Sequence, residues 1–247
     1  MKIIGIVQAR MDSSRLYGKI LHPLKGLPLL ALLARRLENA KVDEWWLATT
    51  REKEDDLTAY WGKAIGWSVY RGSVKNVLSR FTEIIKNRQP QYVVRITADD
   101  PFTDGEIINL MLDQAFIMPP HKKLLSSGRD NKFPLGYTPS IAVADSLVKI
   151  ESEIPQDQFF HRSHVVSWLE VQKKNANFVP PENWPERSGW RWTVDTAEDA
   201  AMAAAAFESF GDNWQSITYP DMVSILDRHP DIPFINAHIK QKQIEEG

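Results

Sequence analysis

Cysteine is absent from the 247 residues, which excludes disulfides, thiolate-bound zinc, iron–sulfur clusters and thiol catalysis. A charge bias is absent too. The 30 Lys and Arg nearly balance the 32 Asp and Glu, leaving a formal charge of −2, so broad electrostatic binding to nucleic acid or an anionic membrane is not expected. A small local basic site for phosphate stays open. No apolar run approaches the ~20 residues of a membrane helix. The opening Met-Lys-Ile-Ile-Gly-Ile-Val-Gln-Ala-Arg is too short an apolar run for a signal peptide, so the expectation is a cytoplasmic protein. No internal repeat, low-complexity linker or domain boundary stands out, and the whole chain, 1–247, is expected to form one domain with a small irregular subregion near 120–145. Hydrophobic residues make up 43% and charged residues 25%, an ordinary globular balance. Most of the nine Trp are expected in packing.

The first hundred residues alternate strand and helix. Lys2–Ala9 is a nearly continuous Ile/Val run, suited to a central parallel strand covered on both faces. Helical spacing predicts helices over Leu27–Ala40, Glu52–Ile65 and Val74–Asn87, with strands at Glu44–Thr50, Trp67–Arg71 and Tyr92–Thr97. Such alternation implies right-handed crossovers and a mostly parallel mixed sheet between helix layers, an α/β fold of three-layer αβα type. Ligands in such sheets bind at the carboxyl ends of the strands. Gln8–Lys19, Arg71-Gly72-Ser73 and Asp99-Asp100 all follow strands and should gather along one edge. Later segments are less regular. Helices are predicted at Asp104–Phe116, Gln156–Lys174, Thr196–Phe210 and Tyr219–Arg228, short strands and turns within Lys122–Val143, and a strand at Trp190–Val194.

The loop after the first strand carries Arg10, Arg15 and Lys19 among Ser13, Ser14 and Gly18. Small residues let backbone N–H groups approach an anion, Arg forks onto phosphate oxygens and Lys adds a point charge. That set suits a triphosphate, although it is not a Walker loop. Asp99, Asp100 and Asp195 follow strands, and carboxylates from two strand ends can share a Mg²⁺ that also binds substrate phosphates. The structural alternative is helix capping: Asp99 or Asp100 before the helix at Glu106, and Asp195 or Thr196 before the next. Asp199 is read as a first-turn helix acid. His161 and His164 lie three apart on one expected helix, with no third metal ligand in view.

The run Ile4-Gly-Ile-Val-Gln-Ala-Arg-Met-Asp-Ser-Ser-Arg-Leu-Tyr-Gly-Lys-Ile-Leu21 resembles the opening signature of the spore coat polysaccharide biosynthesis protein F family. That family lies in the cytidylyltransferase superfamily with CMP-Kdo synthetase and acylneuraminate cytidylyltransferase. Tyr70–Arg80, Val94–Pro101 and Arg191–Asp199 agree in order, so the resemblance covers roughly residues 1–210. It implies a GT-A-like (Rossmann-like) nucleotidyltransferase fold, CTP and a sugar acceptor as substrates, and a homodimer. It also implies Arg10, Ser13, Ser14, Arg15 and Lys19 on the triphosphate, with Arg15, Lys19 and Asp99 catalytic. The backbone around Val7 to Ala9 and the Arg71-Gly72-Ser73 turn would line the base pocket, Asp99 and Asp195 would hold Mg²⁺ (or Mn²⁺), and Asp100, Arg129 and His164 would stand on the acceptor side.

The chain departs from that pattern at three places. Tyr17 replaces a Pro, Ser163 replaces an acid before His164, and Phe133-Pro-Leu-Gly-Tyr-Thr-Pro-Ser140 stands where the family commonly has a Phe-Pro-Asp-Gly-Leu-Asp-Val-Glu type segment. The nucleotide half is kept and the acceptor half rewritten, which implies an altered acceptor or a lost activity. Two other readings stay open: a GT-A-like glycosyltransferase consuming a nucleotide sugar, and a non-catalytic nucleotide-binding homologue.

Overall fold

A computed structural model describes residues 1–127 and 132–241. In chain order it contains β1 (Ile3–Gln8), a hairpin of β2 (Pro23–Leu24) and β3 (Leu27–Pro28), α1 (Leu29–Arg36), β4 (Glu44–Thr50), α2 (Asp56–Ala64), β5 (Ser68–Gly72), α3 (Val77–Arg88), β6 (Tyr92–Thr97) and α4 (Gly105–Phe116). There follow β7 (Leu124–Ser126), β8 (Ser140–Val143), α5 (Ala144–Glu153), α6 (Phe159–Ser163), α7 (Ser167–Val171), β9 (Asn175–Asn177), α8 (Ala197–Ser209), α9 (Tyr219–Asp227) and α10 (Asp231–Phe234). The main sheet has the order β5-β4-β1-β6-β8-β7-β9. Its first four strands are parallel, β8 runs antiparallel to β6 and β7, and β9 is parallel to β7. This is the expected mostly parallel mixed sheet, and the 120–145 subregion extends it through β7 and β8.

Ile3, Ile4, Ile6 and Val7 are buried because β1 sits between β4 and β6, with helices over both faces. One face of the sheet packs Leu29, Leu33, Ile107, Met111, Met202 and Phe207 from α1, α4 and α8. The other packs Leu78, Phe81, Leu147, Ile150 and Leu169 from α3, α5 and α7. Gly5 is needed at the centre, since a Cβ there would meet the Trp45 ring at 2.2 Å. Trp184, Trp192 and Trp214 join Phe102, Phe133, Tyr137 and Tyr219 in one buried aromatic cluster.

Several elements differ from the sequence expectation. The first helix starts at Leu29, because Leu27-Pro28 is spent on pairing with Pro23-Leu24. The expected helix 156–174 is broken into α6 and α7, with Val165 and Val166 between them both drawn into the core. Trp190–Val194 is no strand: it forms a single bridge, Arg191 to Leu135. Gly136 turns the chain there with φ +96°, so close to Thr193 N that a Cβ would stand at 2.3 Å. Helix α5 was not expected, although Ala144, Leu147, Ile150 and Ile154 bury one face of it. Strand β9, Asn-Ala-Asn, was also missed, as its composition disfavours strand.

Arg36 ties these parts together. Its fully buried guanidinium donates to Trp214 O (2.7 Å), Ile217 O (2.9 Å), Phe102 O (2.9 Å) and Asp104 (3.3 Å). Asp104 in turn accepts from the Tyr137 hydroxyl at 2.6 Å and from the first amides of α4. Burial lowers the Arg36 pKa, and burial beside Asp104 holds Tyr137 well above the usual phenol. Replacing Arg36 by Met would leave the Asp104 charge and three carbonyls unpaired in the core. We expect urea denaturation of Arg36→Met to show a loss of about 3–5 kcal/mol; a loss under about 1 kcal/mol would contradict this role.

Candidate functional site

The loop from Ala9 to Lys19 leaves β1 and is anchored on both sides. Ala9 N donates to Ala48 O (3.2 Å) and Met11 N to the buried carboxylate of Asp55 (2.7 Å). Gly18, at φ +68°, turns the chain so that its N–H reaches Met11 O at 2.9 Å and starts a short 3-10 turn at Lys19. Arg10 and Ser14 are exposed and Ser13 is half-buried.

Beyond this turn the charges converge. The Lys19 ammonium bonds Asp99 and Asp195, the latter at 2.6 Å. Arg15 also reaches Asp195, at 2.9 Å. Asp99 follows β6, and its carbonyl accepts from Val194 N at 2.8 Å, so the segment entering Asp195 is stitched to the end of β6. Burial acts to lower the Lys19 pKa, but the two carboxylates outweigh it and the net shift is upward. Burial likewise opposes ionisation of Asp195, and Lys19, Arg15 and Arg191 outweigh it, so its pKa lies below the ordinary carboxylate range.

Asp195 is also held from behind. Arg191 donates to it at 2.8 Å and to the fully buried Asp199. Asp199 accepts from the amides of Asp195 (3.0 Å) and Thr196 (3.1 Å), and Thr196 completes a reciprocal cap on α8. Asn236 adds a further bond to Asp199 at 2.8 Å. Asp199 is therefore both the expected helix acid and the brace of Asp195. The capping alternative fails for Asp99 and Asp100: the cap of α4 is Asp104.

The other sequence candidates fall elsewhere. Asp100 turns inward, bonded to the Thr97 hydroxyl, and burial next to Asp99 pushes its pKa up to about 8. The Arg71 guanidinium holds the β4–α2 loop through Thr50 O (2.8 Å), Glu52 O (2.8 Å) and Asp56 (2.5 Å). Gly72 and Ser73 line an open cavity of about 540 Å³ with Glu52, Tyr70 and Lys75. His164 lies just past α6, its ring stacked on Phe160 at 4.2 Å, and His161 bonds Ser167 at 2.9 Å. Arg129 lies outside the described residues. Sequence reasoning missed Arg80, whose buried guanidinium holds Ser73 O at 2.7 Å and whose pKa burial lowers to about 10, with the charge of Asp55 opposing the shift and that of Arg10 adding to it. It also passed over Arg191, although that residue lies within the quoted Arg191–Asp199 segment.

An α/β sheet whose strand ends present cations beside paired carboxylates defines a nucleotide-handling class of protein. The comparisons narrow it. The profile of the cytidylyltransferase family matches residues 4–129. An uncharacterized protein of Methanocaldococcus jannaschii is 30% identical over 100% of this chain and 99% of its own. The spore coat polysaccharide biosynthesis protein SpsF of Bacillus subtilis is 28% identical over 93% of this chain and 95% of its own. A solved cytidylyltransferase from Leptospira borgpetersenii superposes with a TM-score of 0.87 at 28% identity, covering 98% of this chain and 100% of that one. This chain belongs to the cytidylyltransferase family. Among the described residues no helix is long and apolar enough to cross a membrane.

The geometry makes a direct prediction about Lys19. Removing one carboxylate by Asp195→Asn leaves burial less opposed, so the Lys19 ammonium should titrate at lower pH than in the parent. NMR of ¹³Cε-labelled lysine reads this shift, and an unchanged or raised value would contradict the ion-pair geometry.

Proposed function

We propose that this chain, working as one catalytic domain, transfers CMP from CTP to a sugar for surface-polysaccharide synthesis, with release of pyrophosphate. The observation that carries this reading is the convergence of Lys19 and Arg15 from the β1 loop on Asp99 and Asp195. Family membership and the SpsF relative's name, which concerns polysaccharide synthesis, support the choice of nucleotide and acceptor class.

A deprotonated sugar oxygen, a hydroxyl that has released its proton or a phosphate oxygen, attacks the α-phosphorus of CTP. The new P–O bond forms as the bond to the bridging oxygen of the β-phosphate breaks, and pyrophosphate leaves. Such chemistry is mainly positioning and charge neutralisation. Arg10, Arg15 and Lys19 hold the triphosphate, with Ser13 and Ser14 adding hydroxyls and the backbone at Ala9 placing the loop. Arg15 and Lys19 offset charge on the transferring and leaving phosphates. Gly72 and Ser73 receive the base in the cavity beside β5, which Arg71 and Arg80 hold in shape.

The carboxylates of Asp99 and Asp195 fit Mg²⁺. Both are hard oxygen donors, both already reach a single cation, and two carboxylates with substrate phosphates are an ordinary Mg²⁺ set. Among the described residues no cluster of three or more acidic, His or Cys side chains offers a fuller site. A bound Mg²⁺ would add Lewis-acid stabilisation of the phosphate charge. The cluster would then divide, the carboxylates turning to the metal and Lys19 and Arg15 to phosphate.

Thermal denaturation with each nucleoside triphosphate tests the reading. CTP with Mg²⁺ at a hundredfold its dissociation constant should add about 2.7 kcal/mol, a rise of about 5–10 °C for a chain of this size. Arg15→Ala and Lys19→Ala should abolish the rise while the unliganded variants stay folded. No rise with any nucleotide, or unchanged rises in both variants, would overturn the assignment.

A further inference from the structure

Asp55 stands at the N-cap position of α2, yet its carboxylate takes no backbone amide of that helix. Asp104 and Thr196, in the same position on α4 and α8, each accept amides of their own helices. Capping is the usual role of an Asp at a helix start, so the Asp55 carboxylate serves another partner. It is 2% exposed. Its oxygens accept from the Thr50 hydroxyl, from the Thr58 hydroxyl (3.0 Å) and from Met11 N (2.7 Å). A buried carboxylate has to be met by donors. Among the described residues, the one hydrogen-bond donor from outside the β4–α2 region belongs to the triphosphate loop.

Met11 passes that contact on. Its N–H is fixed by Asp55, and its carbonyl accepts from Gly18 N at 2.9 Å. Gly18 holds φ +68° and starts the 3-10 turn whose first residue is Lys19. Two hydrogen bonds therefore run from Asp55 to the residue before Lys19. The segment that carries Asp55 is clamped in turn to the base-side residues. Arg71 holds Thr50 O, Glu52 O and Asp56, and Arg51 N donates to Gly72 O at 3.2 Å. The charge of Asp55 also acts on Arg80, which holds Ser73 O. One short stretch, from Thr50 to Asp56, thus joins the triphosphate loop to the cavity beside β5, which Arg51 and Glu52 also line.

We propose that Asp55 is a positioning residue for Lys19, acting through Met11 and Gly18, and that it ties the triphosphate loop to the base-side turn. Its use in nucleotide binding rests on the cytidylyltransferase reading; the relay itself rests on the hydrogen bonds alone. The relay requires an oxygen that accepts from Met11 N, which the amide of Asp55→Asn also supplies. Losing that oxygen frees the part of the loop that carries Arg15 and Lys19. In the proposed reaction these residues meet the transferring and leaving phosphates, so a triphosphate depends on the relay more than a monophosphate does.

Amide hydrogen exchange of the full chain without nucleotide reads the relay directly. Asp55→Ala should speed exchange at Met11 and Gly18 by about tenfold or more, with the amides of β1 and β6 unchanged, and Asp55→Asn should keep the parent's protection. Calorimetric titration reads the consequence. Asp55→Ala should weaken CTP with Mg²⁺ by about tenfold or more and CMP by less than about threefold, while Asp55→Asn stays close to the parent for both. Gly18→Ala attacks the second link from the other side. Its φ is unsuited to a side chain, and its Cβ would lie 3.2 Å from the Met11 side chain. It should repeat the CTP loss while exchange at Met11 stays slow, and it keeps the test open should Asp55→Ala fail to fold. Parent-like exchange at Met11 and Gly18 in Asp55→Ala, or Asp55→Asn impaired as much as Asp55→Ala, overturns the relay. So does an undiminished CTP affinity in Gly18→Ala, or an equal loss of CTP and CMP, which marks a general structural role. A parent that binds neither nucleotide overturns the cytidylyltransferase reading instead, and the exchange pattern still decides the relay.

Discussion

The ammonium of Lys19 stands between carboxylates that are 80 and 176 residues away in the chain, and the arrangement of the strand ends follows from that. Asp99 and Asp195 would repel each other in a half-buried setting. They are stable neighbours because a cation is delivered to them by the β1 loop. Delivery needs the left-handed turn at Gly18, and reception needs Asp195 fixed by Arg191 and the α8 cap. Apolar strands set the sheet, but ion pairs and backbone bonds at its carboxyl edge set the relative positions of the loops.

The aromatic cluster connects this edge to the segment that departs most from the resembled family. Phe133 and Tyr137 are buried against Trp184, Trp192 and Tyr219. Between them, the Leu135 carbonyl accepts from the amides of Trp192 (2.6 Å) and Thr193 (3.1 Å). The 133–140 segment therefore supports the stretch that carries Arg191 and Asp195 while ending at Ser140, which pairs with Arg95 of β6.

Periodicity made the core of the fold legible. The run Ile3–Gln8, the Glu44–Thr50 strand and the faces of α3 and α4 bury the side chains that spacing selects. It failed where long-range contacts overrule local pattern. Val165 and Val166 break a helix because both have core to fill, and the Trp190–Val194 run lacks a partner longer than Leu135. The short polar β9 forms only because β7 offers it an edge.

The same division holds at the site. The chain itself determined the phosphate-suited loop, the acids after strands and the Thr196 cap, because each is a local property of residue type and spacing. Tertiary structure alone decided that Arg15 and Lys19 share Asp195, that Asp100 turns inward, that Arg71 braces a loop, and that Arg95 faces Ser140. Those facts depend on strand order and register, which bring together residues that no window of sequence contains, and on burial, which decides whether a charge is paired, neutral or left to meet a ligand.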